Sequence, residues 1–207
     1  ADLLVGPPGG AATETEIDHD VDPIRMKKIG AVGLKFLILW RSDESAEKRS
    51  ELVSDFNKLC DAANLPSIIE IIVKPPNDSS REFNREEELV SAAKEASKWK
   101  LDLYKAEVPF HGEGDLNKVR KNAERITDAI GKPWVVLSNG VKAEFFADAV
   151  KACSQGGASG FLAGRAVWAD LVGSPNIPVA LRNVAIPRLK KLSEVVDTYA
   201  RPWDFEK

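Results

Sequence analysis

The chain has 207 residues, 43% of them hydrophobic and 29% charged, which is enough to bury one substantial core. Its formal charge of -3 gives no general electrostatic footprint for nucleic acid or an anionic membrane surface, so any anion site has to be local. No apolar run reaches the roughly 18 residues of a membrane span and no secretory leader is read. Cys60 and Cys153 sit in helix-like stretches (FNKLCDAA, DAVKACSQG) as expected of buried free thiols, so a cytoplasmic protein is expected.

Strands are predicted at Leu3–Gly6 (the weakest), Leu34–Trp40, Ile68–Val73, Leu103–Val108, Trp134–Ser138 and Gly160–Ala163. All are short and rich in Val, Ile, Leu and Phe, the composition of parallel strands buried on both faces. Helices are predicted between them at Asp22–Ile29, Ser45–Ala63, Arg85–Lys98, Asp115–Ile130 and Lys142–Gln155, with a last one over Ala180–Ala200. Asp43 or Ser45 is the expected cap of the second helix, Gly131-Lys132-Pro133 the stop before WVVLS, and Gly156-Gly157 the stop before GFLAG. Strict alternation without a low-complexity linker reads as a single α/β domain over 1–207 with a parallel sheet, compatible with a barrel or a doubly wound sheet.

Ionisable residues interrupt these apolar strands. Lys35 opens KFLILWR, Glu70 breaks SIIEIIV, Lys105 and Glu107 break LYKAEVP, Ser138 ends WVVLS and Arg165 follows GFLAG. They recur about once per βα unit, roughly 30 residues. With a period of two, Lys35, Leu37, Leu39 and Arg41 share one strand face, Ile68, Glu70 and Ile72 another, and Lys105 and Glu107 a third. If those faces line one interior, Lys35, Glu70 and Lys105 converge and Arg41 lies toward the C-terminal rim, where barrel enzymes keep their active sites. Desolvation and a second cation both favour the neutral amine of a lysine, which then attacks a ketone to give an iminium, while a carboxylate moves protons. The structural alternative is a set of buried ion pairs, Lys35–Glu70 and Lys105–Glu107. Such pairs are costly and not reliably stabilising, so their repetition favours function.

Ser138-Asn139-Gly140 and Ala163-Gly164-Arg165 form a second feature, with glycines that admit a ligand to backbone N–H groups and one guanidinium, as suits a phosphate. His19 lies in an acidic segment (EIDHDVD) without a second histidine or cysteine nearby, so a solvated loop is expected rather than a metal site. His111, in VPFHGEG, could reach the mouth of a site on the lysine strand. Trp99, Trp134 and Trp168 are expected to pack, and Trp40 to border the pocket.

The segments LKFLILWRSDE, SIIEIIVKPP, DLYKAEVPFHGEG, PWVVLSNGV and GASGFLAGRAVW resemble bacterial sulfofructose-phosphate aldolases, relatives of the tagatose-1,6-bisphosphate aldolases, over about residues 33–192. The resemblance implies a (βα)8 TIM barrel and metal-free, cofactor-free class I chemistry. The implied reaction cleaves 6-deoxy-6-sulfofructose 1-phosphate to dihydroxyacetone phosphate and 3-sulfolactaldehyde. It implies Lys105 as the Schiff-base residue, Lys35 and Glu70 beside it, and Ser138, Gly140, Gly164 and Arg165 around the ketone phosphate. It also implies a homo-oligomer acting on a phosphorylated sulfosugar. Family members carry two further βα units before the segment matching ADLLVG, so six parallel strands of the eight are expected here.

Overall fold

The computed structural model describes residues 2–8 and 10–203. The contacts divide the chain into two compact units, residues 1–106 with 129–132, and residues 107–128 with 133–207.

The first unit opens with a hairpin. Strand β1 (Asp2–Val5) pairs antiparallel with β2 (Glu14–Ile17), Asp2 opposite Ile17 and Val5 opposite Glu14. This corrects the expectation for Leu3–Gly6, which is not a parallel strand. ETEI carries two glutamates and a single apolar residue, Ile17, so its pairing comes from the return of the chain rather than from a hydrophobic run. After helix α1 (Pro23–Lys28), capped by the Asp22 carboxylate, the unit builds a parallel sheet of β3 (Leu34–Trp40), β4 (Ser67–Val73) and β5 (Leu103–Glu107). Burial along β3 alternates, with Leu34, Phe36, Ile38 and Trp40 inside and Lys35, Leu37 and Leu39 half-buried, so the period of two read from the sequence holds.

Helix α2 (Ala46–Ala63) presents Val53, Phe56, Cys60 and Ala63 at helical spacing to the buried side, and Phe56 stacks on Phe36 at 5.3 Å. Ser45 is its cap, accepting from the Lys48 N–H, while the Asp43 carboxylate accepts from the Asp78 N–H. Helix α3 (Arg85–Ala96) starts at Asn84 with three glutamates in its first turn and buries Leu89, Ala92, Ala93 and Ala96. Trp40 is buried, donates its indole N–H to Glu95 at 2.9 Å, and lies under the Arg49 guanidinium.

The second unit holds the parallel pair β6 (Trp134–Leu137) and β7 (Gly160–Leu162), flanked by α4 (Leu116–Ile130), α5 (Ala143–Gln155) and α8 (Ile186–Tyr199). All four residues of β6 are buried, as its unbroken apolar run requires. Gly156 lets α5 end hard against α4, since a Cβ there would lie 2.6 Å from the Ala123 Cβ. Short helices α6 (Arg165–Trp168) and α7 (Ile177–Ala180) follow β7. The expected single helix over Ala180–Ala200 is divided: Leu181–Ala185 form a π-helical turn before α8. Pro187 lacks the N–H that would continue a regular ladder back to Asn183. Trp99 and Trp134 are buried as expected, whereas Trp168 is exposed. Cys60 and Cys153 are buried free thiols. Neither unit closes its sheet into a barrel, and among the described residues no helix is long and apolar enough to cross a membrane.

Candidate active site

The parallel register brings the charged strand residues of the first unit together. Leu37 stands beside Glu70, and Glu70 beside Lys105, so these three share a face of the sheet, with Lys35 one step earlier on β3. The Glu70 carboxylate takes both lysines on the same oxygen: Lys105 Nζ donates to Oε2 at 3.0 Å and Lys35 Nζ lies 3.2 Å from it. Lys105 is the more enclosed of the two, its side chain 14% exposed against 34% for Lys35. A fourth member was not foreseen. Asp2, on β1, meets Lys35 Nζ at 2.8 and 3.0 Å. Two lysines and two carboxylates thus alternate as Asp2, Lys35, Glu70, Lys105, and their formal charges cancel. A charge count gave no signal for Asp2, because Glu107 stood as the second carboxylate on the lysine face.

Glu107, two residues beyond Lys105 on β5, is buried and accepts a hydrogen bond from Asn139 Nδ2 at 3.3 Å. Arg41, read as a rim residue, is held by Glu44 at 3.0 Å and by the Thr13 carbonyl.

In the second unit Ser138, Asn139, Gly140, Val141, Ala143, Arg165, Ala166, Ala169 and Asp170 surround an open pocket of about 380 Å³. Three local devices shape it. The turn after β6 closes through the Val141 N–H onto the Ser138 carbonyl, with Gly140 at φ 73°, where a Cβ would sit 2.8 Å from His111 Nδ1. Helix α5 begins at Lys142 without a side-chain cap, so the pocket lies by its N-terminal backbone N–H groups. Arg165 follows Gly164 and has no ion-pair partner among the described residues. His111 packs on Gly140, its Nδ1 buried without a hydrogen-bond partner among the described residues, in a turn where Phe110 and His111 both adopt positive φ. His19 belongs to no group of three or more metal-ligating side chains, and no such group occurs among the described residues.

The first unit thus holds an enclosed lysine bound to a strand carboxylate, and the second a glycine-lined pocket whose Arg165 has no ion-pair partner among the described residues. The chain belongs to the DeoC/LacD family of aldolases, whose model matches residues 10–170. It is 30% identical to tagatose 1,6-diphosphate aldolase 1 of Enterococcus faecalis, across 70% of this chain and 52% of that one. It is 27% identical to tagatose 1,6-diphosphate aldolase of Streptococcus pneumoniae, across 86% and 64%. The chain therefore spans between half and two thirds of the length of these relatives. Among solved structures, it resembles an archaeal fructose 1,6-bisphosphate aldolase with a TM-score of 0.58 and 20% identity, over 83% of this chain and 60% of that one. It also resembles the fructose-bisphosphate aldolase of Plasmodium falciparum, with a TM-score of 0.70 and 16% identity, over 97% and 68%. Family and structural likeness together place the chain in the α/β class with a TIM-barrel-like fold.

Proposed function

We propose that the protein is a class I aldolase that cleaves a ketose 1-phosphate, with Lys105 as the amine that attacks the C2 ketone. The observation that carries this is the enclosed Lys105 Nζ held 3.0 Å from Glu70, with Lys35 as the second cation on the same carboxylate oxygen. Lys105 loses a proton to Glu70 and adds to the carbonyl carbon; Glu70 returns that proton to the carbinolamine hydroxyl, which leaves as water and gives an iminium beside a free carboxylate. The C4 hydroxyl then gives its proton to the carboxylate, the C3–C4 bond breaks, and its electron pair passes to C3 and the iminium, forming an enamine and releasing the aldehyde. Protonation at C3 and hydrolysis return dihydroxyacetone phosphate and the free lysine. Glu70 is the carboxylate assigned to the protons, because it touches Lys105, whereas Glu107 is engaged with Asn139. Ser138, Gly140, Gly164 and Arg165 are assigned to the phosphate of the three-carbon ketone, on the strength of the adjoining α5 N-terminus and of Arg165, which has no ion-pair partner among the described residues.

For the other end of the substrate we propose a sulfonate, in 6-deoxy-6-sulfofructose 1-phosphate. WRSDE and GFLAGRAVW support that branch, whereas the names of the curated relatives favour tagatose 1,6-bisphosphate as a second reading. A homo-oligomer is part of the same proposal, supported by exposed Val172, Ile177, Val179 and Leu181, and light scattering tests it. The functional test measures release of dihydroxyacetone phosphate from each ketose by wild type and Lys105→Ala. Cleavage of the sulfosugar at least tenfold faster than of the bisphosphate, abolished in the variant, is the expected result. The reverse preference overturns the substrate assignment, and an active Lys105→Ala overturns the mechanism.

A further inference from the structure

The pocket assigned to phosphate contains a carboxylate. Asp170 lines it together with Arg165, so a dianion entering there meets one cation and one anion. Left alone, that carboxylate opposes the ligand the pocket is shaped for. The structure supplies a counter-charge from another helix. Arg188, in the first turn of α8, forks onto both Asp170 oxygens, Nη1 to Oδ1 at 2.6 Å and Nη2 to Oδ2 at 2.8 Å. The same Nη1 donates to the Val167 carbonyl at 3.2 Å, so the guanidinium also ties down the α6 segment that carries Arg165. The bidentate geometry fixes where the positive charge sits.

Resting on the phosphate reading of this pocket, we infer that Arg188 is a positioning residue that makes the pocket fit for a dianionic phosphate, by cancelling the Asp170 carboxylate at its wall. Arg188 acts through Asp170 and does not itself line the pocket. The hydrogen bonds from Arg188 hold the Asp170 carboxyl below its ordinary value of 3.8, so at neutral pH it is ionised and the cancellation is needed. Two charges on the ligand double its response to each wall charge, and the pocket is open to solvent, so the effects are modest and salt-dependent.

The test titrates the protein with inorganic phosphate by calorimetry at low salt, using wild type, Arg165→Ala, Arg188→Gln, Asp170→Asn and the double variant Asp170→Asn/Arg188→Gln. Arg188→Gln is expected to weaken binding about fivefold, Asp170→Asn to tighten it by a few-fold, and the double variant to return within about twofold of wild type. The Arg188→Gln deficit should shrink in 1 M salt, where the screening length is about 3 Å. A purely structural clamp predicts something else, that the double variant stays as weak as Arg188→Gln and salt does not help, and that result overturns the inference. Unchanged affinity in Arg188→Gln overturns it as well. If wild type binds no phosphate, or binds it independently of Arg165, the phosphate reading of the pocket fails and the inference falls with it. Should Arg188→Gln not fold, Asp170→Asn decides alone: tighter binding supports the inference and unchanged binding refutes it.

Discussion

Replacing Glu70 by Gln removes a charge while keeping the shape of the side chain, and the structure says what is left behind. Both lysine ammonium groups lie within 3.2 Å of one Glu70 oxygen, and the glutamate is buried. At an effective dielectric of about 20, each contact has a gross attraction of roughly 5 kcal/mol, most of it offset by the desolvation of three charged groups. The variant loses the attraction and keeps the desolvation of Lys105. Breaking a buried pair from one side costs about 3–5 kcal/mol. Lys35 is one-third exposed, so solvent screens its share and the lower end, about 3 kcal/mol, is the expectation. For a chain of this size that lowers the melting temperature by about 6–12 °C. Urea and thermal unfolding followed by circular dichroism read the change. Adding Lys105→Met to Glu70→Gln should recover part of the loss, because the unpaired ammonium goes with it. A loss below about 1 kcal/mol, or a double variant less stable than Glu70→Gln alone, would refute the account of this cluster.

Other outcomes follow from the same structure. Arg49 forks onto Glu95 at 2.7 and 2.8 Å and is buried, so Arg49→Met should cost about 3–5 kcal/mol in urea unfolding, and less when Glu95→Gln is added, which removes the unpaired charge and keeps an acceptor for the Trp40 indole. Gly140→Ala places a Cβ 2.8 Å from His111 Nδ1 at a φ of 73°. It should cost about 1–2 kcal/mol and weaken phosphate binding, both measurable on one sample. Burial first, then the nearby Asp102 and Asp61 charges, push the Cys60 thiol from its ordinary 9.0 up to about 11. The folded chain keeps that proton while the unfolded chain loses it above pH 9. The Cys60 contribution is therefore intact below pH 9 and is lost as pH rises to 11, by about 2–3 kcal/mol. Wild type should lose more stability than Cys60→Ala over that interval, and parallel curves would contradict the assignment. Burial raises the Cys153 thiol as well, so neither cysteine should react appreciably with a thiol reagent at pH 8 until the protein unfolds.

What could be read from sequence followed from burial on both faces. KFLILW, SIIEIIV and WVVL are strands because nothing else buries such runs at that length, and period two alone put Lys35, Glu70 and Lys105 on matching faces. Register between strands is a tertiary property, so the shared oxygen of Glu70 was not legible, nor was the engagement of Glu107 by Asn139. Asp2 was missed because Leu3–Gly6 looked like one more parallel strand. Only its pairing with the polar ETEI segment reveals the hairpin that carries the carboxylate to Lys35. Arg188 was invisible for a related reason: its partner Asp170 lies 18 residues away on a different helical segment, with no periodic pattern joining the two.

The central claim is that Lys105 forms the iminium, and borohydride reduction in the presence of dihydroxyacetone phosphate, followed by intact mass and peptide mapping, tests it most directly. The account predicts a single covalent adduct on the peptide bearing Lys105, absent from Lys105→Ala. An adduct on Lys35 instead, or no adduct on any lysine under conditions where phosphate binds, would contradict it.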